Sequence, residues 1–465
     1  MLRLVVLLVV SALCASLAIS SPVGPARLPS PGHRVRVPLQ RRSPSAHAPT
    51  TSHATLPVAN LDNLKVAMSS VTNKYTGGAF RYHSRTGHCL PGFQQLQTLT
   101  EQAQGAVNDW AQALGLKWPS GSNNRNQRRQ QAPLRNHDEV LWAGEVEVGT
   151  PGQAFSVIFD TGSADLWIPG ANARNGHQAF HPNASSTVVN STLDQFNISY
   201  ADGSSVAGPV YTDRVTVANL TAEQQHFAAA DTVAASISDD PQDGVLGMAY
   251  SIISNMGERP FFQTLFMQQS VKDNVFAFRL GDRDEGELYL GGVNHDLYEG
   301  SIEYTDVTVP AYWMVQGATH LTVPETNNTS NSTSTTFTTN KDQIFVIDTG
   351  TSLILAPTIE AERFYAQVPS AKPFRNGYYQ VWCNQTWTAE FSFGSSSRTF
   401  AVDSKYMNLG LTETGSEWCV PALAAQDVKI GAWVLGDAFI RNTYAIFEMG
   451  AARIGFASPK KAAQT

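Results

Sequence analysis

The chain has 465 residues, too many for one ordinary domain and enough for two or three cores of typical size. Its hydrophobic fraction of 42% and charged fraction of 15% are those of a globular protein and exclude a wholly disordered chain. A formal net charge of −7 gives no reason to expect a nucleic-acid partner.

The chain opens with Arg3 and then an almost wholly apolar run over residues 4–18. Ala18 and Ser20 are small residues at the spacing of a signal cleavage site, so residues 1–20 read as a secretory signal. The run is short for a membrane span of about 20 residues, and no later segment is apolar enough, so no membrane partner is expected. Secretion is the favoured destination; vacuolar delivery uses the same signal and stays open.

Residues 21–57 are rich in Pro, Ser, Arg and His and read as a flexible basic leader. Helical patterning follows at LDNLKVAM and again over residues 96–116. The polar stretch SGSNNRNQRRQQ then carries the dibasic pair Arg128–Arg129, a natural processing site, with Arg41–Arg42 as its rival. A propeptide over residues 21–129 is expected, its boundary reaching to about 136. Residues 1–129 hold 14 Lys and Arg against 3 Asp and Glu, whereas the remainder holds 18 against 36. The basic leader should therefore dock on the acidic body, and acid should weaken that attraction.

From about residue 137 strand-like runs with short turns dominate, for example FSVIFD and GELYLGG, which makes the fold mostly β. Residues 326–340 (TNNTSNSTSTTFTTN) read as a mobile, glycosylated surface loop. Glycosylation sequons occur at Asn183, Asn190, Asn197, Asn219, Asn327, Asn328, Asn331 and Asn384. With Cys14 in the signal and Cys89 in the leader, Cys383 and Cys419 are left as a pair. A disulfide is the default reading in a secreted chain, and no CxxC or HxxxH spacing supports a metal site.

The chain contains an internal repeat. VIFDTGSADLWI at 157–168 matches IFVIDTGTSLIL at 344–355 around an apolar–Asp–Thr–Gly core. A second echo follows each copy, DGVLGMAY at 243–250 and WVLGDAF at 433–439, with 87 residues from Asp160 to Gly247 and 88 from Asp348 to Gly436. Two similar lobes follow, related by an approximate two-fold axis, each presenting one Asp-Thr-Gly loop at their interface. Gly162 and Gly350 would permit the backbone angles of a tight loop. Thr161 and Thr349 could hydrogen-bond across the boundary, and Ser163 and Thr351 could donate to the carboxylates. Two carboxylates brought together cannot both ionise easily, so Asp160 and Asp348 would share a proton. The ionised member is then a general base for water and the protonated member a general acid, with no metal or cofactor needed.

These motifs, with AGEVEVGTPGQAFSVIFDTGSADLWIP, ISYADGS and WVLGDAFIRNTYAIFEMGAARIGFA, resemble the pepsin-like aspartic proteases over about residues 140–457. The resemblance implies an all-β, bilobal fold with a pseudo-two-fold axis and a central substrate cleft. The N-terminal lobe would span 137–312 and the C-terminal lobe 313–465. It implies a monomeric endopeptidase, made as a zymogen, that cuts proteins and peptides at acidic pH beside large apolar residues and is inhibited by pepstatin-like peptides. Asp160 and Asp348 carry over as the catalytic pair, braced by Thr161, Gly162, Ser163, Thr349, Gly350 and Thr351. Tyr200 carries over as the flap tyrosine, with Gly203 in the flap turn and Trp167 either its hydrogen-bond partner or a core residue. YADGSS is similar to the fungal secreted branch, where an acidic flap residue, here Asp202, goes with tolerance for Lys before the cut bond; the alternative is that Asp202 suits the turn. Ile158, Val245 and Gly350 are cleft-wall candidates. Only one of the family's usual disulfides remains, and the long leader names no lysine or arginine that would cap the pair. A non-catalytic binding protein on this scaffold is the rival reading. It would have lost an aspartate or the flap tyrosine, and all three are present.

Overall fold

A computed structural model describes residues 35–36, 56–59, 61–90, 131–137, 141–173, 176–193, 195–199, 205–234, 241–281, 286–324 and 334–460. The signal segment, residues 96–116 and the dibasic linker lie outside the described residues. The fold is all-β in two lobes, with few helices. Among the described residues no helix is long and apolar enough to cross a membrane.

The repeat in the sequence is a repeat in strand wiring. In the first lobe, Gln153–Asp160 runs parallel to Gly244–Gly247, which runs antiparallel to Leu166–Pro169, which runs parallel to Leu220–Ala230. In the second, Gln343–Ile347 runs parallel to Trp433–Leu435, which runs antiparallel to Ile354–Ala356, which runs parallel to Leu423–Ala425. Each aspartate thus ends a central strand buried on both faces, as the apolar runs before them require. Gly247 pairs with Asp160 itself, and the Asp348 N–H donates to the Leu435 carbonyl at 3.1 Å, one residue before Gly436.

The lobes meet over an aromatic layer. Trp313 packs against Tyr250, Phe276 and Phe447, and its indole N–H donates to the Met248 carbonyl at 3.1 Å. Beneath it the strands Val275–Arg279, Gly286–Leu290, Tyr444–Glu448 and Arg453–Pro459 continue the first lobe's sheet. Folded pairing starts earlier than residue 137: the strand Gln131–His137 pairs with both Leu141–Val148 and Gly286–Leu290. The loop expected over 326–340 also needs correction. Its part Ser334–Thr338 is a strand paired with Met314–Pro324, because Thr is β-branched and Phe337 packs against the core.

Among the described residues, three stretches of the leader touch the body. Val35–Arg36 pairs antiparallel with residues 289–290, beside the strand Gln131–His137. The helix Leu61–Thr86, much longer than the patterned LDNLKVAM, buries Met68, Val71, Tyr75, Ala79 and Tyr82 at helical spacing. Just before it, Ala59 N–H donates to the Leu411 carbonyl and Leu411 N–H to the Pro57 carbonyl, which lays the leader along the second lobe.

Cys383 and Cys419 form a disulfide across a 36-residue separation. Closing a loop of that size contributes about 3–4 kcal/mol through the unfolded chain. The Cys383→Ser/Cys419→Ser double variant should lose stability of that order, read as a lower urea midpoint with an altered slope. A midpoint unchanged within error would show that the small sheet around it, made of Lys372–Pro373, Tyr379–Trp382, Trp418–Pro421 and Asn408–Leu411, holds itself.

Candidate active site

The two Asp-Thr-Gly loops cross at the lobe boundary and are tied by reciprocal hydrogen bonds. Thr161 Oγ1 donates to the Ile347 carbonyl at 2.8 Å, and Thr349 Oγ1 to the Phe159 carbonyl at 2.6 Å. The Thr161 N–H donates to Thr349 Oγ1 at 3.1 Å and the Thr349 N–H to Thr161 Oγ1 at 3.0 Å. Each hydroxyl lies in the dry interior and serves as donor and acceptor at once, so the junction leaves none of these groups unpaired.

The carboxylates then face each other. Each is fixed in its own loop by the N–H two residues on: Gly162 N–H to Asp160 Oδ1 at 2.8 Å, and Gly350 N–H to Asp348 Oδ1 at 3.0 Å. Neither glycine has a left-handed backbone, contrary to the reason expected from the sequence. What they supply is space. A Cβ on Gly162 would stand 2.5 Å from Asp348 Oδ1, and one on Gly350 would stand 2.2 Å from Asp160 Oδ1. Any side chain at either position would push the two carboxylates apart.

The hydroxyl neighbours are not equivalent. Thr351 Oγ1 donates to Asp348 Oδ2 at 2.6 Å. Ser163 Oγ is buried without a hydrogen bond of good geometry to a described residue, although it lies near enough to draw the Asp160 pKa down.

A residue the sequence did not single out sits on the pair. Lys74, from the leader helix, places Nζ 3.1 Å from Asp160 Oδ1 and 2.7 Å from Asp348 Oδ2. Its neighbour Tyr75 is fully buried and donates its hydroxyl to the same Asp348 Oδ2 at 2.8 Å. The helix can come this close because of Gly78, where a Cβ would stand 1.7 Å from the Tyr312 hydroxyl oxygen. That hydroxyl donates to the carbonyls of Lys74 and Tyr75, at 3.2 and 3.3 Å. The signal available in the sequence was the pair Gly77–Gly78 inside an apolar helical pattern. Glycine is unfavourable there unless close packing demands it.

Burial and charge set the titration. Burial pushes Asp160 up most, Lys74 opposes this, and the Asp348 charge adds to it; the carboxyl rises to about 6. Burial also pushes Asp348 up, but Lys74 and hydrogen bonds from Asp160, Lys74 and Thr351 outweigh it and hold that carboxyl at about 2. Burial works against the Lys74 charge, yet the two carboxylates keep its pKa above the ordinary lysine value. One carboxyl held low beside one held high is a pair that keeps a single proton over a wide range. Nearby Asp437 was also missed as a titrating group. It is 1% exposed, neither carboxyl oxygen accepts a hydrogen bond from a described residue, and burial drives it towards its neutral form against the pull of Arg441.

The remaining expected residues are placed as follows. Ile158 and Val245 are cross-strand neighbours, and Val245 in turn faces Trp167. Trp167 is buried in a small apolar cluster with Phe196, Val206 and Val210. The hairpin arms Phe196–Ser199 and Ser205–Gly208 are paired. Tyr200, Asp202 and Gly203 lie between them, outside the described residues.

Fold and site define a two-lobed β protein that brings one aspartate from each lobe to a shared, buried point. The sequence model of the eukaryotic aspartyl proteases matches residues 141–459. An aspartic protease of Phaffia rhodozyma is 36% identical over 328 residues, covering 69% of this chain and 76% of its own. The major aspartyl peptidase 1 of Cryptococcus neoformans is 31% identical over 399 residues, covering 77% and 80%. Vacuolar protease A of Neurospora crassa is 32% identical over 343 residues, covering 71% and 81%. The chain belongs to the eukaryotic aspartyl protease family and is a pepsin-like aspartic endopeptidase of fungal type.

The threonine crossing can be tested apart from catalysis. Thr349→Val keeps shape but strands the Phe159 carbonyl and the Thr161 N–H, and should cost about 2 kcal/mol or more. Thr161→Val should cost a similar amount, and the two should be strongly non-additive because they share one network. Additive losses by thermal or urea unfolding would mean that the crossing is not a unit.

Proposed function

We propose that Asp160 and Asp348 are the catalytic pair of this endopeptidase, and that the precursor is held inactive by Lys74 and Tyr75. One observation carries the reading: a single leader ammonium lies within hydrogen-bond distance of both carboxylates. It stands where a water molecule would have to be activated.

With the leader gone, the pair shares one proton. The ionised carboxylate takes a proton from water as the oxygen attacks the peptide carbonyl carbon. The protonated carboxyl gives its proton to the carbonyl oxygen, forming a tetrahedral diol. Proton transfer to the amide nitrogen then breaks the C–N bond. No bond forms between enzyme and substrate. The chemistry needs one carboxyl of the pair protonated and the other ionised, which sets an acidic working range. Tyr200 on the hairpin would close over the peptide and exclude water. Residues 1–20 act as the signal and 21–129 as the propeptide, and the mature enzyme is a secreted monomer that favours large apolar residues at the cut. The vacuolar relative keeps the second destination in view.

The pH dependence follows from the sign of each shift. Asp348 is held at about 2, below the ordinary 3.8, so its pairing supports the capped precursor above about pH 4 and fades as pH falls towards 2. Asp160 is raised to about 6, so its contribution is full below the ordinary value and is lost as pH rises through 6. The cap should therefore loosen at the acid end through Asp348.

Purified precursor incubated at about pH 3–4 with denatured haemoglobin should show cleavage that pepstatin blocks and that Asp160→Asn and Asp348→Asn both abolish. Full activity in either variant would sink the assignment. Lys74→Met removes one partner of a buried ion pair worth about 3–5 kcal/mol when broken. It should move leader release up by about one pH unit or more, with little difference from wild type near pH 2.

A further inference from the structure

The small sheet around the disulfide carries a partly exposed aromatic surface. The strand Tyr379–Trp382 alternates buried Tyr379 and Val381 with outward Gln380 and Trp382. Trp382 keeps 49% of its surface in solvent. Its cross-strand partner is Trp418, with ring centroids 5.9 Å apart. Lys372 covers the Trp418 ring at 4.6 Å. Trp382 is the more open ring of the pair.

The chain then turns. The Gln385 N–H donates to the Trp382 carbonyl at 2.9 Å, closing a four-residue turn, and the Cys383–Cys419 bond fixes its second residue. The third residue is Asn384, exposed, and Asn384-Gln385-Thr386 is a glycosylation sequon whose Thr386 is also exposed. An open indole thus stands two residues before the acceptor asparagine, across a locked corner. No other sequon of this chain has a Phe, Tyr or Trp at that spacing: the residues two before Asn183, Asn190, Asn197, Asn219, Asn327, Asn328 and Asn331 are His181, Val188, Gln195, Val217, Glu325, Thr326 and Thr329.

We infer that Asn384 carries an N-linked glycan whose first N-acetylglucosamine packs on the face of Trp382. A pyranose ring presents a row of weakly positive C–H groups on one face, and an indole face is negative, so the two attract beyond the apolar area they cover. The sugar would cover the part of the Trp382 ring that Trp418 leaves in solvent. The inference rests on the secretory entry proposed above, since glycan transfer occurs only on that route.

The test is expression of the full precursor in a yeast secretory host, with site occupancy read by glycopeptide mass spectrometry. Thermal midpoints are then compared for wild type, Asn384→Gln, Trp382→Ala and the double variant. Asn384 is expected to be occupied. Asn384→Gln should lower the midpoint by about 2 °C when Trp382 is present and leave it unchanged in the Trp382→Ala background. Trimming with endoglycosidase H, which leaves only the first sugar, should keep the wild-type midpoint. Thr386→Ala removes the sequon without touching Asn384 and should repeat the Asn384→Gln result. A bare Asn384 beside other occupied sequons overturns this inference alone. Bare sequons throughout overturn it together with secretory entry. Occupancy with no coupling to Trp382, or a loss on trimming equal to that of Asn384→Gln, also overturns it.

Discussion

Two like charges cannot share a buried spot without help, and the structure is organised around that constraint. Asp160 and Asp348 end the central strands of different lobes and meet where both are nearly or wholly out of solvent. Ionising both there would leave them in strong mutual repulsion with no water to screen it. Two remedies exist. A proton can be shared, which keeps one carboxyl neutral. A cation can be inserted, as Lys74 is, between the two. Swapping one remedy for the other is also the change from precursor to enzyme under the function proposed for this site.

The same constraint explains why the leader docks as it does. Opposite net charges would bring leader and body together at long range, and among the described residues many of the docked contacts are hydrogen bonds to uncharged groups. Arg81 donates to the Ile253 carbonyl and to Asn255 Oδ1, Arg85 to the carbonyls of Ser251 and Ile252, and Thr72 accepts from Gln426. The body loop that Arg81 reads is itself held from behind. Asp165 is buried and accepts from Ser254 Oγ, from Asn255 at both N–H and Nδ2, and from Met256 N–H. Docking therefore rests in large part on shape and on hydrogen bonds from Arg81 and Arg85 to backbone carbonyls and a side-chain amide. Among the described residues, the leader contacts made to the aspartate pair itself are those of Lys74 and Tyr75.

Much of this was legible in the sequence because it repeats. Two Asp-Thr-Gly cores, each followed by an apolar-Gly echo at nearly equal spacing, fixed two lobes and one aspartate in each. The matching parallel and antiparallel pairings are the three-dimensional form of that repeat. The leader was harder to read for a physical reason. Helix Leu61–Thr86 contains Thr72, Thr76, Gly77 and Gly78, poor helix formers that mask its length, and it is held by docking rather than by propensity. Which of its basic residues meets the aspartates depends on how far the helix sinks. Tyr312 and Gly78, far apart in the sequence, set that depth together, and local sequence carries no record of it. Ser334–Thr338 was hidden differently, because a Thr-rich composition reads as loop until a partner strand is known.

The repeat is imperfect in a useful way. Lys74, Tyr75 and Thr351 all donate to Asp348 Oδ2, whereas Asp160 Oδ1 receives Lys74 and its own loop N–H. The leader thus exaggerates the difference between the carboxyls and presses Asp348 into its ionised form. Departure of the leader, as proposed for activation, would take two donors from Asp348 and one from Asp160. Thr351 remains, so the asymmetry shrinks without vanishing. A pair near balance can pass its proton from one carboxyl to the other at little cost, which is what alternating base and acid roles require. A strictly symmetric site would give no preferred starting state, and a strongly biased one could not return. The two loops differ here: Thr351 Oγ1 donates to Asp348 Oδ2, whereas Ser163 Oγ makes no hydrogen bond of good geometry to a described residue.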